Sequence, residues 1–225
     1  MIKVFALLPK RPDISDEEFH SHWRSPHGEL VKRIRTIRRY VQSHRLSEGD
    51  PHLPRAPYHG VGEVWYDDLA AAQGLGEDRD YIEGAHADEP NIFDVSKLVF
   101  LFTEERVLEP GPPIEQDTPG TKLLQLIRHS SSNDVEAFHT ELAAFGSERL
   151  ARRLGARRHV LCLDLPANYG DADPPFDAIR ELWWDSLDDF EAAHRASPDA
   201  FTALASTARG ESFGILAEEY RVIWP

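Results

Sequence analysis

A chain that repeats itself once has little freedom in how it folds, and this one does so at long range. The stretch "KVFALLPKRPDISDEEFH" at 3–20 lies against "KLLQLIRHSSSNDVEAFH" at 122–139, with Phe19 and Phe138 fixing an offset of 119 residues. The same offset carries "ELVKRIRTIRRYV" onto "ERLARRLGARRHV". Further on, "GEVWYDDL" meets "RELWWDSL", and "FTEERVL" meets "AEEYRVI". A period above one hundred residues is far too long for a solenoid and marks a duplicated domain. The copies are read as 1–109 and 120–225, joined by a linker at 110–119 inside the Pro- and Gly-rich "LEPGPPIEQDTPG".

Each copy has the same order of elements. "IKVFALL" is short, apolar and contains β-branched residues, as suits a strand covered on both faces. "ISDEEFHSHW" opens a helix, with Ser15 as N-cap and Glu18 completing a capping box. Ser25-Pro26 should kink or end it, because a residue before proline avoids the helical region. "GELVKRIRTI" resumes helix, "RRYVQSHRL" and "HGVGEVWYD" alternate as strands, a second helical region follows, and "KLVFLFTEERVL" is a last strand. The order β-α-β-β-α-β is that of a ferredoxin-like unit, an antiparallel sheet with helices on one face. The bare face needs cover, and two copies can supply it by packing sheet to sheet. The fold expected is therefore α+β: two ferredoxin-like repeats forming an internal pseudo-dimer, with further homodimerisation left open.

Charge narrows the partners. A formal net charge of −14 opposes binding to nucleic acid or to an anionic membrane surface, both of which need clustered cations. The single cysteine, Cys162, allows neither an internal disulfide nor a thiolate cluster. No apolar run is long enough to span a bilayer, and "MIKVFALLPK" reads as a strand rather than a leader, so a cytoplasmic location is expected.

One segment is unusual in its chemistry. "EEFHSHWRSPHGEL" resembles the signature of the EthD family, an H-W-x-x-x-H-type pattern that falls here on His22, Trp23 and His27. "GEVWYDD" and "FTEERVL" are also similar to that family's later strands. The resemblance implies a fused pair of domains of the dimeric α+β barrel kind, with a small, mostly apolar pocket between sheet and helices. It also implies chemistry from the range seen among such barrels: cofactor-free monooxygenases, cyclases, dehydratases, decarboxylases and an isomerase. The second copy keeps His139 opposite His20 but has Glu141 and Leu142 where His22 and Trp23 stand. The first copy should thus hold the site.

Phe19, His22 and Trp23 share one helical face, which should meet the sheet. Imidazoles titrate near neutrality, so His22 and His27 can exchange protons with a substrate as catalytic acid and base. The plainer alternative is a histidine satisfied in a helix–sheet seam and another in a turn. Expected substrate-binding residues are Trp23, Arg24, His44, Tyr58, His59 and Trp65, on helix, strand or loop positions bordering the same space. No H-E-x-x-H, P-loop or dinucleotide fingerprint occurs, so neither metal nor cofactor is expected. The function expected is lyase, isomerase or cyclase chemistry on a small apolar or aromatic, polyketide-like compound. The alternatives are an EthD-type oxidoreductase or cofactor-free monooxygenase, and a non-catalytic carrier of small ligands.

Overall fold

The computed structural model describes residues 1–129, 135–145, 149–168, 174–206 and 211–225. Contacts gather them into two compact units, one of 1–45, 57–102 and 219–225, the other of 46–56 and 103–218. Division by packing is thus discontinuous along the chain. The boundaries expected from the sequence repeat, at 109 and 120, do not coincide with it.

In the first unit β1 (Ile2–Leu8), β2 (Arg39–Arg45) and β3 (Gly60–Tyr66) run antiparallel in the order β1-β3-β2. Ala6 stands opposite Gly62, and Gln42 stands opposite the same glycine from the other side. Helices α1 (Asp16–His22), α2 (Gly28–Val31), α3 (Leu69–Gln73) and α4 (His86–Ile92) make the connections. Leu8 packs with Phe19, Trp23, Ile92 and Phe93, tying β1 to α1 and α4. Full burial of side chains this size contributes about 1.5–3 kcal/mol apiece.

The second unit holds β5 (Thr121–Ile127), β6 (Arg158–Asp164) and β7 (Ala178–Trp184), with residues of β4 (Val99–Glu109) and β8 (Ser212–Ile223). Its antiparallel order is β8-β5-β7-β6-β4. Its helices are α5 (Val135–Phe145), α6 (Arg149–Arg153), α7 (Leu187–Ala196) and α8 (Pro198–Ala205). Leu123, Leu182, Trp184, Phe190, Phe201 and Leu204 form its main core. Mixed helix and antiparallel strand is the class that the sequence predicts.

Strand registers repeat as well. Lys3 Nζ lies 2.8 Å from Glu63 Oε2 with both side chains buried, and Ser43 Oγ donates to Glu63 Oε1 at 2.5 Å. At the equivalent places in the second unit, Lys122 Nζ lies 3.1 Å from Glu181 Oε1 and Cys162 Sγ donates to Glu181 Oε2 at 3.3 Å. Buried charge is costly unless it is paired, so each unit carries the ion pair as a whole. Among the described residues no helix is long and apolar enough to cross a membrane.

Candidate active site

The capping box forms as the sequence predicts: Glu18 N donates to Ser15 Oγ at 3.1 Å, and Ser15 N to Glu18 Oε2 at 2.7 Å. It starts α1 in the phase that buries Phe19 and Trp23 completely. Trp23 lies against the start of β3 so closely that a Cβ on Gly60 would stand 2.3 Å from the indole Cζ3. Only glycine fits there. Ser25 leaves the helical region (φ −139°, ψ 71°) immediately before Pro26. The helical turn that follows begins its run with His27, buried to 5% exposure.

That break decides the chemistry. On a straight helix, residues five apart diverge by about 140°. Here both imidazoles reach one carboxylate, Asp88 of α4. His22 Nε2 lies 3.0 Å from each Asp88 oxygen and His27 Nδ1 lies 3.1 Å from Oδ2, while Asn91 Nδ2 donates to Oδ1 at 3.0 Å. Burial alone would raise the Asp88 pKa, but hydrogen bonds from Asn91, His22 and His27 outweigh it and hold the carboxyl below its usual range. His27 is pushed down, because burial outweighs the pull of Asp88. At neutral pH the pair is therefore a carboxylate and a neutral imidazole. A carboxylate only accepts, so His27 carries its hydrogen on Nδ1 and keeps a lone pair on Nε2.

His27 borders a cavity of about 70 Å³ between the sheet and the helices. Ala6, Leu8, Gly62 and Val64 form its strand wall, and Trp23, Val31, Ala85 and Phe93 face them. The space exists because Ala6 and Gly62, side by side in the register, bring almost no side chain. Five polar groups border it: His27, Tyr40, Tyr66, Tyr81 and Glu89. Tyr81 Oη donates to Glu89 Oε1 at 2.9 Å, and His86 Nδ1 lies 2.9 Å from Oε2. Burial raises the phenols of Tyr66 and Tyr81, helped by the Asp78 and Glu89 charges respectively. Among the described residues no Lys or Arg borders the cavity. The lining suits a neutral, largely apolar molecule with an oxygen function.

Of the residues singled out in the sequence, Trp23 and His27 meet at this cavity and the others do not border it. His22 lines a shallow groove on the outer side of α1, with Glu18, Pro26 and Asn91. Arg24 is exposed, its guanidinium 5.3 Å from the ring centre of Tyr220. Trp65 lies on the other face of β3, with Lys3 Nζ 4.4 Å above its ring. Tyr58 is buried before β3, and its carbonyl accepts from Arg45 Nη1 at 2.7 Å. His59 Nδ1 accepts from the backbone N of Lys10 at 3.2 Å. His44 is buried next to Gln42 and His20. Tyr40, Tyr66, Tyr81, Asp88 and Glu89 were not among the expected residues. A usable signal existed for two of them: Tyr81, Ala85 and Glu89 recur every four residues, the mark of one helical stripe.

The second unit fills the corresponding positions. Gln125 stands where Ala6 does, Arg180 where Gly62 does and His159 where Tyr40 does, in the same strand register. Arg180 is fully buried, and its Nη1 donates to Gln125 Oε1 at 2.8 Å; Gln125 Nε2 in turn donates to the carbonyl of Leu204 in α8 at 3.0 Å. Burial lowers the Arg180 guanidinium to about 10. The counterpart of His27 falls at residue 146, outside the described residues. His139 Nε2 lies 2.8 Å from Asp164 Oδ1. Glu105, Cys162 and Glu181 bring three ligand-type atoms within 4.8 Å of one another, but Lys122 already balances Glu181 there.

With this geometry in hand, comparison with known proteins is informative. The EthD domain family profile matches residues 11–96. Over these residues the chain is similar to an EthD domain. The matched stretch contains α1 to α4 and most of the cavity, including His27, Tyr40, Tyr66, Tyr81, Asp88 and Glu89. Among curated proteins no sequence match was found. Solved structures do match in fold. An anthrone oxidase-like protein aligns with a TM-score of 0.55 at 12% identity, over 98% of this chain and 93% of its own. A proposed monooxygenase from Fusobacterium nucleatum gives 0.54 at 10% identity, over 98% and 91%. A chlorite dismutase variant from Candidatus Nitrospira defluvii gives 0.54 at 12%, over 98% and 92%. At such identities the likeness is one of fold, that of the dimeric α+β barrel proteins.

Proposed function

We propose that the EthD domain is the active copy of a small-molecule enzyme in which His27 is the general base. The supporting observation is the His27–Asp88 pair: a buried, neutral imidazole on the cavity wall, its Nδ1 hydrogen held by a carboxylate and its Nε2 left to accept. A base oriented by a carboxylate on its far nitrogen is the arrangement that proton abstraction uses, since the carboxylate fixes the tautomer and stabilises the imidazolium once it forms. His22 steadies Asp88 from the outer side of the helix. Trp23 closes the wall, and Arg24, His44, Tyr58, His59 and Trp65 support the domain around the site.

In this reading a small aromatic or polyketide-like substrate loses a proton from carbon or oxygen to His27 Nε2. Returning that proton to a different atom of the same molecule gives isomerase, cyclase or lyase chemistry with no redox partner. The second reading is favoured by the likeness to the anthrone oxidase-like and monooxygenase structures. There the electron-rich anion reacts with dioxygen, converting a CH₂ group and O₂ into C=O and water. The tandem copies, 1–109 and 120–225 with 110–119 between them, then divide the work: one keeps the site and the other keeps the scaffold. Turnover of candidate substrates tests the proposal. His27→Gln should abolish it with the fold intact, and oxygen uptake matched to product would select the second reading. Unchanged turnover in His27→Gln would defeat both, and binding without turnover would leave a carrier.

A further inference from the structure

Tyr40 projects from β2 into the cavity wall, and its hydroxyl is surrounded by donors. Trp23 Nε1 donates to Tyr40 Oη at 3.0 Å, and Gln42 Nε2 donates to the same oxygen at 3.1 Å. The orientation of the Gln42 amide is set by chemistry. Its Nε2 also donates at 2.6 Å to the carbonyl of Trp23, which can only accept, so the other amide atom must be the oxygen. Gln42 Oε1 then needs a donor and finds His44 Nε2 at 3.1 Å. With its hydrogen on Nε2, His44 accepts on Nδ1, from His20 Nδ1 at 2.9 Å.

Each link fixes the next, and all point one way: His20 to His44, His44 to Gln42, Gln42 to Tyr40. The phenol oxygen has two acceptor sites and both are filled. Its one hydrogen has no acceptor among the described residues, and the cavity is what Tyr40 borders. Burial raises the phenol to about 12, against the lowering by Gln42 and Trp23, so the hydrogen stays in place through the physiological range. Hydrogen bonds in series polarise one another, so the last donor in the chain is strengthened.

We infer that Tyr40 is a fixed hydrogen-bond donor for a carbonyl, enolate or phenolate oxygen of the ligand, and that Gln42, His44 and His20 are positioning residues that hold it in that role. The inference rests on reading this cavity as the substrate site, and it narrows the substrate to compounds with an acceptor oxygen beside the position that His27 deprotonates. It also gives the buried His44, which is not in the lining of this cavity, a function at one remove.

The test needs no turnover. Cyclohexanone is titrated into the full chain, and its carbonyl stretch in the bound state is read by difference infrared spectroscopy. The expected result is saturable binding with the stretch displaced to lower frequency than in hydrocarbon solvent. In Tyr40→Phe the displacement should vanish and affinity should fall about fivefold, the factor that one net hydrogen bond carries. His44→Leu leaves Tyr40, the cavity lining and the Gln42 contact with the Trp23 carbonyl in place but removes the donor that polarises the Gln42 amide. A smaller displacement there supports the chain, and an unchanged one overturns the positioning role. No binding, no displacement in the unaltered protein, or full displacement in Tyr40→Phe overturns the donor assignment. If the ketone behaves as expected but no substrate is ever turned over, the proposed enzymatic function fails and this assignment stands.

Discussion

Replacing Asp88 by asparagine changes one atom's charge and little shape, and the structure says what that charge does. Asp88 accepts from Asn91, His22 and His27 at 3.0–3.1 Å. Hydrogen bonds to a charged acceptor contribute about 1.5–3 kcal/mol net, against about 0.5–1.5 for neutral partners. Three such bonds, two of them partly open to solvent, put the loss on Asp88→Asn at about 2–3 kcal/mol of stability. The amide also turns a donor toward one of the imidazoles. Where it faces His27, the hydrogen moves from Nδ1 to Nε2 and the base is gone; in a serine-protease triad the matching change costs about 10⁴ in rate. Long-range ¹⁵N–¹H spectra of histidine-labelled protein distinguish the two tautomers, and urea denaturation gives the stability. If the His27 ring keeps its Nδ1 hydrogen and the denaturation midpoint is unmoved in Asp88→Asn, the carboxylate orients nothing and the dyad reading is wrong.

Other perturbations follow from the same contacts. Gly60→Ala places a Cβ 2.3 Å from Trp23 Cζ3 and should destabilise by about 1–3 kcal/mol, the range for overpacking, read from the urea midpoint. Ser15→Ala removes one half of the α1 capping box and should cost about 1 kcal/mol, with faster amide exchange in the first turn of that helix. His27 is held below its ordinary pKa by burial, and His44 is pushed down to about 2 by burial and by the charges of His20 and Arg24. The unfolded chain binds protons at these rings from about pH 6.5 downward while the folded chain does not, so stability is full above that pH and falls as pH drops. Each ring adds a slope approaching ~1.4 kcal/mol per pH unit, measured as urea midpoints between pH 7.5 and 5. A midpoint that rises on acidification would contradict the buried, neutral assignment.

Features written in neighbouring residues could be read in advance. Ser15 with Glu18 and Ser25 with Pro26 are local signals, and both act where the sequence places them. The internal repeat is legible in the strand sequences, and the buried pairs Lys3 with Glu63 and Lys122 with Glu181 fall at matching positions of it. Asp88 could not. It lies 66 residues beyond His22, in "HADEPNI", which looks like a solvated helix surface until the fold brings it to two imidazoles. Strand parity correctly puts Tyr40, Gln42 and His44 on one face, but parity cannot say that a glutamine stands between the tyrosine and the histidine as a hydrogen-bond relay. The cavity was least visible, because what makes it is the smallness of Ala6 and Gly62, and missing atoms leave no pattern.

Arginine in the second unit where the first has glycine gives the two sheets different interiors. The guanidinium of Arg180, braced by Gln125 against the end of α8, is a tethered guest in the place that Gly62 leaves open in the first unit. Trimming Arg180 and Gln125 to the sizes of Gly62 and Ala6 would leave a cradle on that face of the sheet, while Cys162, which meets Glu181 on the opposite face, would be untouched.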